Sequence, residues 1–260
     1  MPLLYTENLR REFGGVIAVS DVSIEIHKGS ITGLIGPNGA GKTTLFNTIT
    51  GLDYPTNGYV FFKGEDITPL PAYKITRSGI ARTFQNIRLF KELTVFENIM
   101  IGRHFRANHP FIIKNRLINF ILGRILVKRE ERDIYENSIK WLNFFKLGEY
   151  RDEYAKNLPY GKQRELEIAR ALATEPEVIF LDEPAAGMNP RETAELMTTI
   201  KRIRDLGITV VLIEHDMKLV MNICDRIIVL NYGRKIAEGT PEEVRNNREV
   251  IEAYLGKSDE

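Results

Sequence analysis

Cysteine is almost absent from this chain. Cys224 is the only one among 260 residues, so no intrachain disulfide can form. A lone thiol fits a reducing compartment, and burial is its default environment. Long apolar runs are also missing: the most apolar later segment, 117–127, is cut by Asn119 and Arg124 and is too short to span a bilayer. No cationic stretch followed by an apolar one opens the sequence, so export is not expected. An excess of charge of either sign is lacking. The 36 Lys and Arg against 35 Asp and Glu leave a net +1, which gives no global field for nucleic acid, although a local basic patch stays open. Internal repeats and low-complexity segments are absent as well. What remains is an ordinary globular composition at a length that suits one large domain, or a domain with a lobe inserted in it.

The organising stretch is 36–44, GPNGAGKTT, which follows an apolar run at 31–35 and precedes a helix-compatible segment at 45–51. Strand, glycine-rich loop and helix in that order are the context of a P-loop. Gly36, Gly39 and Gly41 let successive N–H groups turn inward into a concave anion site at a helix N-terminus. Lys42 adds a positive charge for β/γ-phosphates, and the Thr43 hydroxyl suits Mg²⁺. The pattern arises by chance in roughly one in a hundred chains of this length, so an incidental turn is the weaker reading.

Residues 3–9, 22–26 and 59–63 alternate as antiparallel strands do, with turn signals between them. Phe13 falls in a loop ahead of the P-loop, and two readings stay open: a ring stacked on a base, or a core phenylalanine. Gln85 stands between a short extended segment and a linker to a helix near 95–102, after which the chain reads as helical to about residue 156. Within that lobe, 105–129 is basic without an acidic residue and interleaved with apolar ones. This suits either a surface meeting an anionic membrane or membrane partner, or a helical hairpin with solvated cations outward.

The stretch 158–176, LPYGKQRELEIARALATEP, starts a helix near Gly161, and the unpaired N–H groups of its first turn favour an anion. Directly after it, 178–181 is a buried strand that delivers Asp182 and Glu183 at its C-terminal edge, where ligands of parallel sheets bind. Asp182 suits Mg²⁺, through water, and Glu183 suits an attacking water. His215 follows another buried strand at 208–213 and is a candidate γ-phosphate contact at the same edge. A hairpin at 226–238 and a short helix capped by Thr240 lead to a last helical turn or two at 250–255.

The ordered set GPNGAGKTT, RTFQ, LPYGKQ, VIFLDEP and IEHD resembles the ATP-binding subunit of ABC transporters over essentially the whole chain. Within that family RTFQNIRLF, LPYGKQRELEIAR, EPAAGMNP and GTPEEVRNN…VIEAYLG look like the LivG-type ATPases of branched-chain amino acid importers. The resemblance implies an α/β fold: a P-loop NTPase (RecA-like) core with an antiparallel β subdomain and an inserted α-helical subdomain. One ABC ATPase domain would cover 1–260, with the helical subdomain at approximately 88–165 and a C-terminal helical tail at 240–260. Two ATP molecules would be sandwiched in a dimer. Gly36, Pro37, Asn38, Gly39, Ala40, Gly41, Lys42, Thr43 and Thr44 would bind phosphate and Mg²⁺, and Phe13 would stack on adenine. Gln85 would report on the γ-phosphate and Mg²⁺, Asp182 would support the metal, Glu183 would be the catalytic base, and His215 would contact the γ-phosphate. Tyr160 and Gly161 would close over the other subunit's nucleotide, and Asn189 would bond across the dimer.

The implied partners are integral membrane permease subunits, a second ABC ATPase subunit (a copy of this chain or a relative) and, indirectly, a periplasmic or extracellular binding protein. Nucleic acid is not among them. The implied location is the cytoplasmic face of the membrane, as a peripheral protein. Two positions depart from the family pattern. Pro159 replaces the serine of LSGGQ, and Asn189 replaces the aspartate of the SALD loop. The competing functions are another cargo, such as urea or short amides, and a non-transport ABC ATPase.

Overall fold

In a computed structural model of the chain, residues 1–104 and 131–255 are described; the basic stretch 105–129, with both of its readings, lies outside them. Backbone contacts divide the chain into two units, the first made of Met1–Asn86 with Glu177–Glu260, the second of Ile87–Pro176.

The first unit holds two sheets. Its antiparallel sheet has the order β2-β1-β5-β6, from β1 (Leu4–Phe13), β2 (Val16–Val22), β5 (Asn57–Phe62) and β6 (Glu65–Asp66), and β3 (Glu25–Ile26) also pairs with β1. The sequence pattern puts one strand at 22–26 where the structure has a break between β2 and β3. The reason is Thr6: its hydroxyl donates to the Val22 carbonyl at 2.9 Å and accepts from the Ile24 N–H at 3.1 Å. A side chain thus stands in the ladder where regular pairing lapses. β1 also runs four residues beyond the alternating stretch that ends at Leu9, because Arg11, Glu12 and Phe13 pair with Val19, Ile17 and Val16 across the Gly14-Gly15 turn.

The second sheet has the order β11-β10-β4-β9-β8-β7. β4 (Ile31–Ile35), β7 (Ile80–Arg82), β8 (Val178–Asp182), β9 (Thr209–Ile213) and β10 (Arg226–Asn231) run parallel, and β11 (Arg234–Gly239) closes the edge as an antiparallel hairpin arm. Every residue of β4, β8 and β9 is buried, which is why these strands appear in the sequence as continuous apolar runs and not as alternation. Helix α1 (Lys42–Ile49) packs on this sheet through Leu45, Phe46 and Ile49, with the Phe46 ring edge-on to Phe180 at 4.9 Å. The remaining helices of this unit are α2 (Ala72–Ser78), α6 (Pro190–Asp205), α7 (Met217–Ile223), α8 (Pro241–Arg245) and α9 (Arg248–Leu255). Thr240 starts α8 with a reciprocal capping box to Glu243, as its position in the sequence suggests.

The described residues of the second unit are mostly helical: α3 (Val95–His104), α4 (131–144), α5 (Tyr160–Leu172) and 3-10 turns at Gly148–Tyr150 and Ala155–Asn157. Trp141, Leu142, Phe145 and Leu147 are buried and form part of its interior. Among the described residues no helix is long and apolar enough to cross a membrane.

Cys224 is buried against the main sheet, and a methyl group at Gly33 of β4 would stand 3.0 Å from its sulfur. Burial, reinforced by Asp225 and Glu214, pushes the thiol up to about 12. At pH 8 it therefore carries almost no thiolate, the reactive form. A colorimetric thiol reagent should leave Cys224 unmodified in the folded chain for hours and titrate one thiol per chain once denaturant is added. Rapid labelling of the native protein would contradict this burial.

Candidate functional site

β4 runs straight into the glycine-rich loop. Gly36 and Gly41 have φ of 152° and 95°, and an added Cβ would lie 2.1 Å from the Leu230 carbonyl oxygen and 2.3 Å from that of Ala18. Both positions therefore demand glycine, for conformation and for space. Gly41 is the N-cap of α1, which has no side-chain cap and no acidic residue in its first turn. The N–H groups of that turn are offered to an external anion at the positive end of the helix dipole. Lys42 donates to the carbonyls of Gly36 at 2.7 Å and Pro37 at 3.0 Å, which holds its ammonium inside the loop. Burial lowers its pKa, and Glu183 and Asp182 oppose that shift.

A cleft of about 240 Å³ is lined by Ala18, Asn38, Gly39, Ala40, Gly41, Lys42, Thr43, Thr44, Gln85 and Glu183. Gln85 and Glu183 come to it from the two segments of the first unit, one just before and one just after the stretch that forms the second unit. The parallel pairing of β8 with β9 sets Asp182 beside Ile213, and Glu183 continues by donating its N–H to the Ile213 carbonyl at 3.0 Å. Glu183 has φ of 47°, a left-handed conformation uncommon for a residue with a side chain. Gln85 Nε2 donates to one of its oxygens at 3.0 Å, and His215 Nδ1 lies 3.7 Å from the other. An amide and an imidazole thus flank one carboxylate at the rim of an anion cradle. This arrangement can hold a phosphate chain and orient a water beside it.

Asp182 is nearly fully buried and accepts from Arg82 Nη2 at 2.9 Å. Arg82 also reaches Asn47 at 2.8 Å and Thr50 at 3.0 Å, so one guanidinium joins β7, β8 and the end of α1. Nothing in the sequence reading pointed to Arg82. The available signal was a single cation directly after the apolar Ile80-Ala81 pair, because a charge in a buried strand is normally paired. Glu214 is likewise not marked out by the sequence. It is 2% exposed, accepts from the N–H groups of Ala185 at 2.9 Å and His215 at 3.3 Å, and so joins the loop after Glu183 to the loop bearing His215. Burial raises its pKa against those hydrogen bonds and the charge of His215.

Other candidates lie elsewhere. Phe13 ends β1 with 43% of its surface exposed and the Arg11 guanidinium 4.2 Å from its ring centre. It is therefore not a core phenylalanine, and it is not in the lining of the cleft. Asn189 is the N-cap of α6, where its side chain accepts from the N–H groups of Arg191 and Glu192 in a full capping box. Tyr160 and Gly161 open α5 in the second unit, after Pro159 as N-cap without a side-chain cap. The donor set suited to Mg²⁺, the Thr43 hydroxyl, Gln85 amide and Asp182 carboxylate, is hard oxygen, as that ion requires. Among the described residues no cluster of three His, Cys, Asp or Glu side chains could hold a metal alone.

A P-loop at the end of a central parallel strand, with an Asp-Glu pair two strands away at the same edge, defines a P-loop nucleotide-binding protein. The family model described as ABC transporter matches residues 19–186, and a second, described as branched-chain amino acid ATP-binding cassette transporter, matches 234–260. The chain belongs to the ABC transporter family of ATP-binding proteins. It is 46% identical to the high-affinity branched-chain amino acid transport ATP-binding protein BraF of Pseudomonas aeruginosa, with 99% of each chain covered. To the protein LivG of Escherichia coli, which carries the same description, identity is again 46% with 99% of each covered. Among solved structures, a nucleotide-free ATP-binding cassette from an ABC transporter superposes with a TM-score of 0.83 at 37% identity, covering 99% of this chain and all of the other. The ADP conformation of an ATP-binding cassette gives 0.82 at 35% identity, covering 99% and 100%.

The Arg82–Asp182 pair generates a stability prediction, since both side chains are less than a tenth exposed. Removing one partner of a buried pair leaves an uncompensated charge and costs about 3–5 kcal/mol. Arg82→Ala should lower the unfolding free energy by roughly that amount in urea titration, whereas Arg82→Met combined with Asp182→Asn should recover more than half of the loss. A single Arg82→Ala change costing under about 1 kcal/mol would show that the pair is solvated and structurally idle.

Proposed function

We propose that this chain is the ATP-hydrolysing subunit of an ABC importer for branched-chain amino acids. The observation that carries the catalytic part is the Glu183 carboxylate, flanked by Gln85 at 3.0 Å and His215 at 3.7 Å on the rim of the P-loop cleft. The cargo rests on the relatives: BraF and LivG are described as branched-chain amino acid transport proteins, and the match at 234–260 is to a segment described for that subfamily. Cargo selection itself belongs to other subunits, so urea or short amides are the competing cargo.

In this reading the loop from Gly36 to Thr44 cradles the triphosphate through backbone N–H groups, and Lys42 turns from the Gly36 and Pro37 carbonyls to the β/γ-phosphates. Glu183 accepts a proton from the attacking water, with Gln85 and His215 orienting it toward the γ-phosphate. Mg²⁺, when bound, neutralises phosphate charge, and Thr43, Gln85 and Asp182 are the residues that would hold it. Phe13, exposed at the end of β1, offers a ring face to adenine in this reading. The start of α5, at Tyr160 and Gly161, and Asn189 at the start of α6 face the nucleotide of a second cassette, either a copy of this chain or a related subunit. One ABC ATPase domain spans 1–260, with a helical subdomain at about 88–165 and a C-terminal tail at 240–260. The helical subdomain docks on integral membrane permease subunits at the cytoplasmic face, a binding protein supplies them from outside, and no nucleic acid takes part.

Glu183→Gln keeps the shape but removes the base. ATP turnover should fall by about a hundredfold or more, within the range known for general base removal. With magnesium and ATP, a dimer should accumulate in size-exclusion chromatography. Turnover at the wild-type rate would remove Glu183 from this role. Pro159→Ser supplies a hydroxyl at an uncapped helix start. A hydrogen bond to a charged group is worth about 1.5–3 kcal/mol, so the ATP-dependent dimer should tighten by about tenfold or more in sedimentation analysis. An unchanged association constant would mean that backbone N–H groups suffice at this end.

A further inference from the structure

Helix α5 buries a charged pair. Arg164 and Glu167 have side chains 0% and 1% exposed, joined by Nη1 to Oε2 at 2.9 Å. Burying two charges gains little stability over an apolar pair of the same size, because the desolvation cost matches the attraction. What distinguishes this pair is what its other atoms hold. Glu167 Oε1 accepts from the backbone N–H of Arg88 at 2.9 Å, and Arg164 Nη2 lies 3.4 Å from the Tyr160 hydroxyl. Arg88 sits three residues after Gln85, and Tyr160 is the first residue of α5.

The linker that begins at Arg88 is fastened to the same unit at further points. Phe90 exchanges two hydrogen bonds with the fully buried Asn98, both at 3.0 Å, and the Arg170 guanidinium lies 5.4 Å from the Phe90 ring centre. Asn98 and Phe90 pin the middle of the linker to α3. Glu167 connects the Arg88 N–H, through its charged pair with Arg164, to the first turn of α5.

We propose that Glu167 and Arg164 are positioning residues that join the linker following Gln85 to the helix start bearing Tyr160 and Gly161, so that the two segments move as one piece. This rests on the function proposed above, in which Gln85 touches one nucleotide and the start of α5 touches that of the partner cassette. The tie makes the two nucleotide contacts interdependent: displacement of the linker is passed through the Arg88 N–H, Glu167 and Arg164 to Tyr160. Burial raises the pKa of Glu167, while the Arg88 N–H and the charges of Arg164 and Arg170 hold it down.

The test uses the full chain. Glu167→Gln keeps the side-chain shape and removes the charge, and its amide NH₂ confronts the donors of Arg164. Without nucleotide, amide exchange at 88–90 should accelerate by about tenfold, as loss of one charged hydrogen bond predicts. With magnesium and ATP, kcat should fall by about tenfold, while the affinity of the isolated subunit for a fluorescent ATP analogue stays within about twofold. Arg164→Lys, which retains the cation, should lie closer to wild type on both readings than Arg164→Met, and this pair serves if Glu167→Gln does not fold. Wild-type exchange at 88–90 in Glu167→Gln would overturn the proposal. So would faster exchange with unchanged kcat, or a fall in kcat matched by an equal loss of nucleotide affinity. A wild-type chain without ATPase activity would instead sink the role given to Glu183, and the nucleotide-free exchange would still decide whether the tie exists.

Discussion

The parallel pairing of β4, β9 and β8 is the constraint from which the site follows. Leu34 and Asp182 both pair with Ile213 across the intervening strand, so the three strands end at the same level. The backbone beyond each end then has one place to go, the C-terminal edge of the sheet. There the P-loop, the Asp182-Glu183 step and the Glu214-His215 step meet without any long-range contact being specified for them individually. Full burial of all three strands fixes their register, since a slip of one residue would carry Asp182 to another level and turn its neighbours to the opposite face. The hydrophobic core is in this sense what aligns the polar chemistry.

Three carboxylates crowd that edge, and their surroundings separate their tasks. Asp182 is held by Arg82 in a nearly dry ion pair. Glu214 is buried too, but its partners are backbone N–H groups, and it ties two loops together. Glu183 alone lines the cleft, with part of its surface open and a strained backbone that aims it there. Neighbouring acids with unlike environments are the means by which one fold divides acid-base work from structural work. Lys42 faces this group from across the loop, where burial lowers its pKa and the pull of Glu183 and Asp182 opposes that shift.

Much of this was legible in the sequence because local pattern and tertiary environment agree. Buried parallel strands announce themselves as apolar runs, and the glycines at 36, 39 and 41 announce a backbone that other residues refuse. The β2–β3 break was not legible, since it depends on a threonine sixteen residues or more away that intrudes on the ladder. Arg164 and Glu167 were not legible for a different reason. An Arg and a Glu three apart on a helix look like a solvated pair, and the apolar residues at 166, 169, 172 and 173 mark out a buried face without them. Only the tertiary arrangement reveals that the face extends over the pair. Arg82 and Glu214 belong to the same kind: charged residues whose meaning is their burial, a property that one-dimensional pattern cannot register.

Helix starts complete the division between structure and chemistry. α3, α6, α7 and α8 begin with Thr94, Asn189, Asp216 and Thr240, each of whose side chains accepts from first-turn N–H groups. α1, α2 and α5 begin without such a cap. An uncapped start alone is no binding site, as α2 shows, where a proline precedes a short helix with Arg77 in its last turn and no distinctive loop before it. α1 differs through what surrounds it: inward-turned glycines, a half-buried ammonium and a facing carboxylate. α5 differs through what lies behind it, a buried ion pair that leads back to the segment after Gln85. A capping side chain in place of Gly41 would satisfy the first-turn N–H groups of α1 internally and weaken their attraction for an anion, so the stability forgone at that helix end, typically about 1 kcal/mol, leaves those groups free for one.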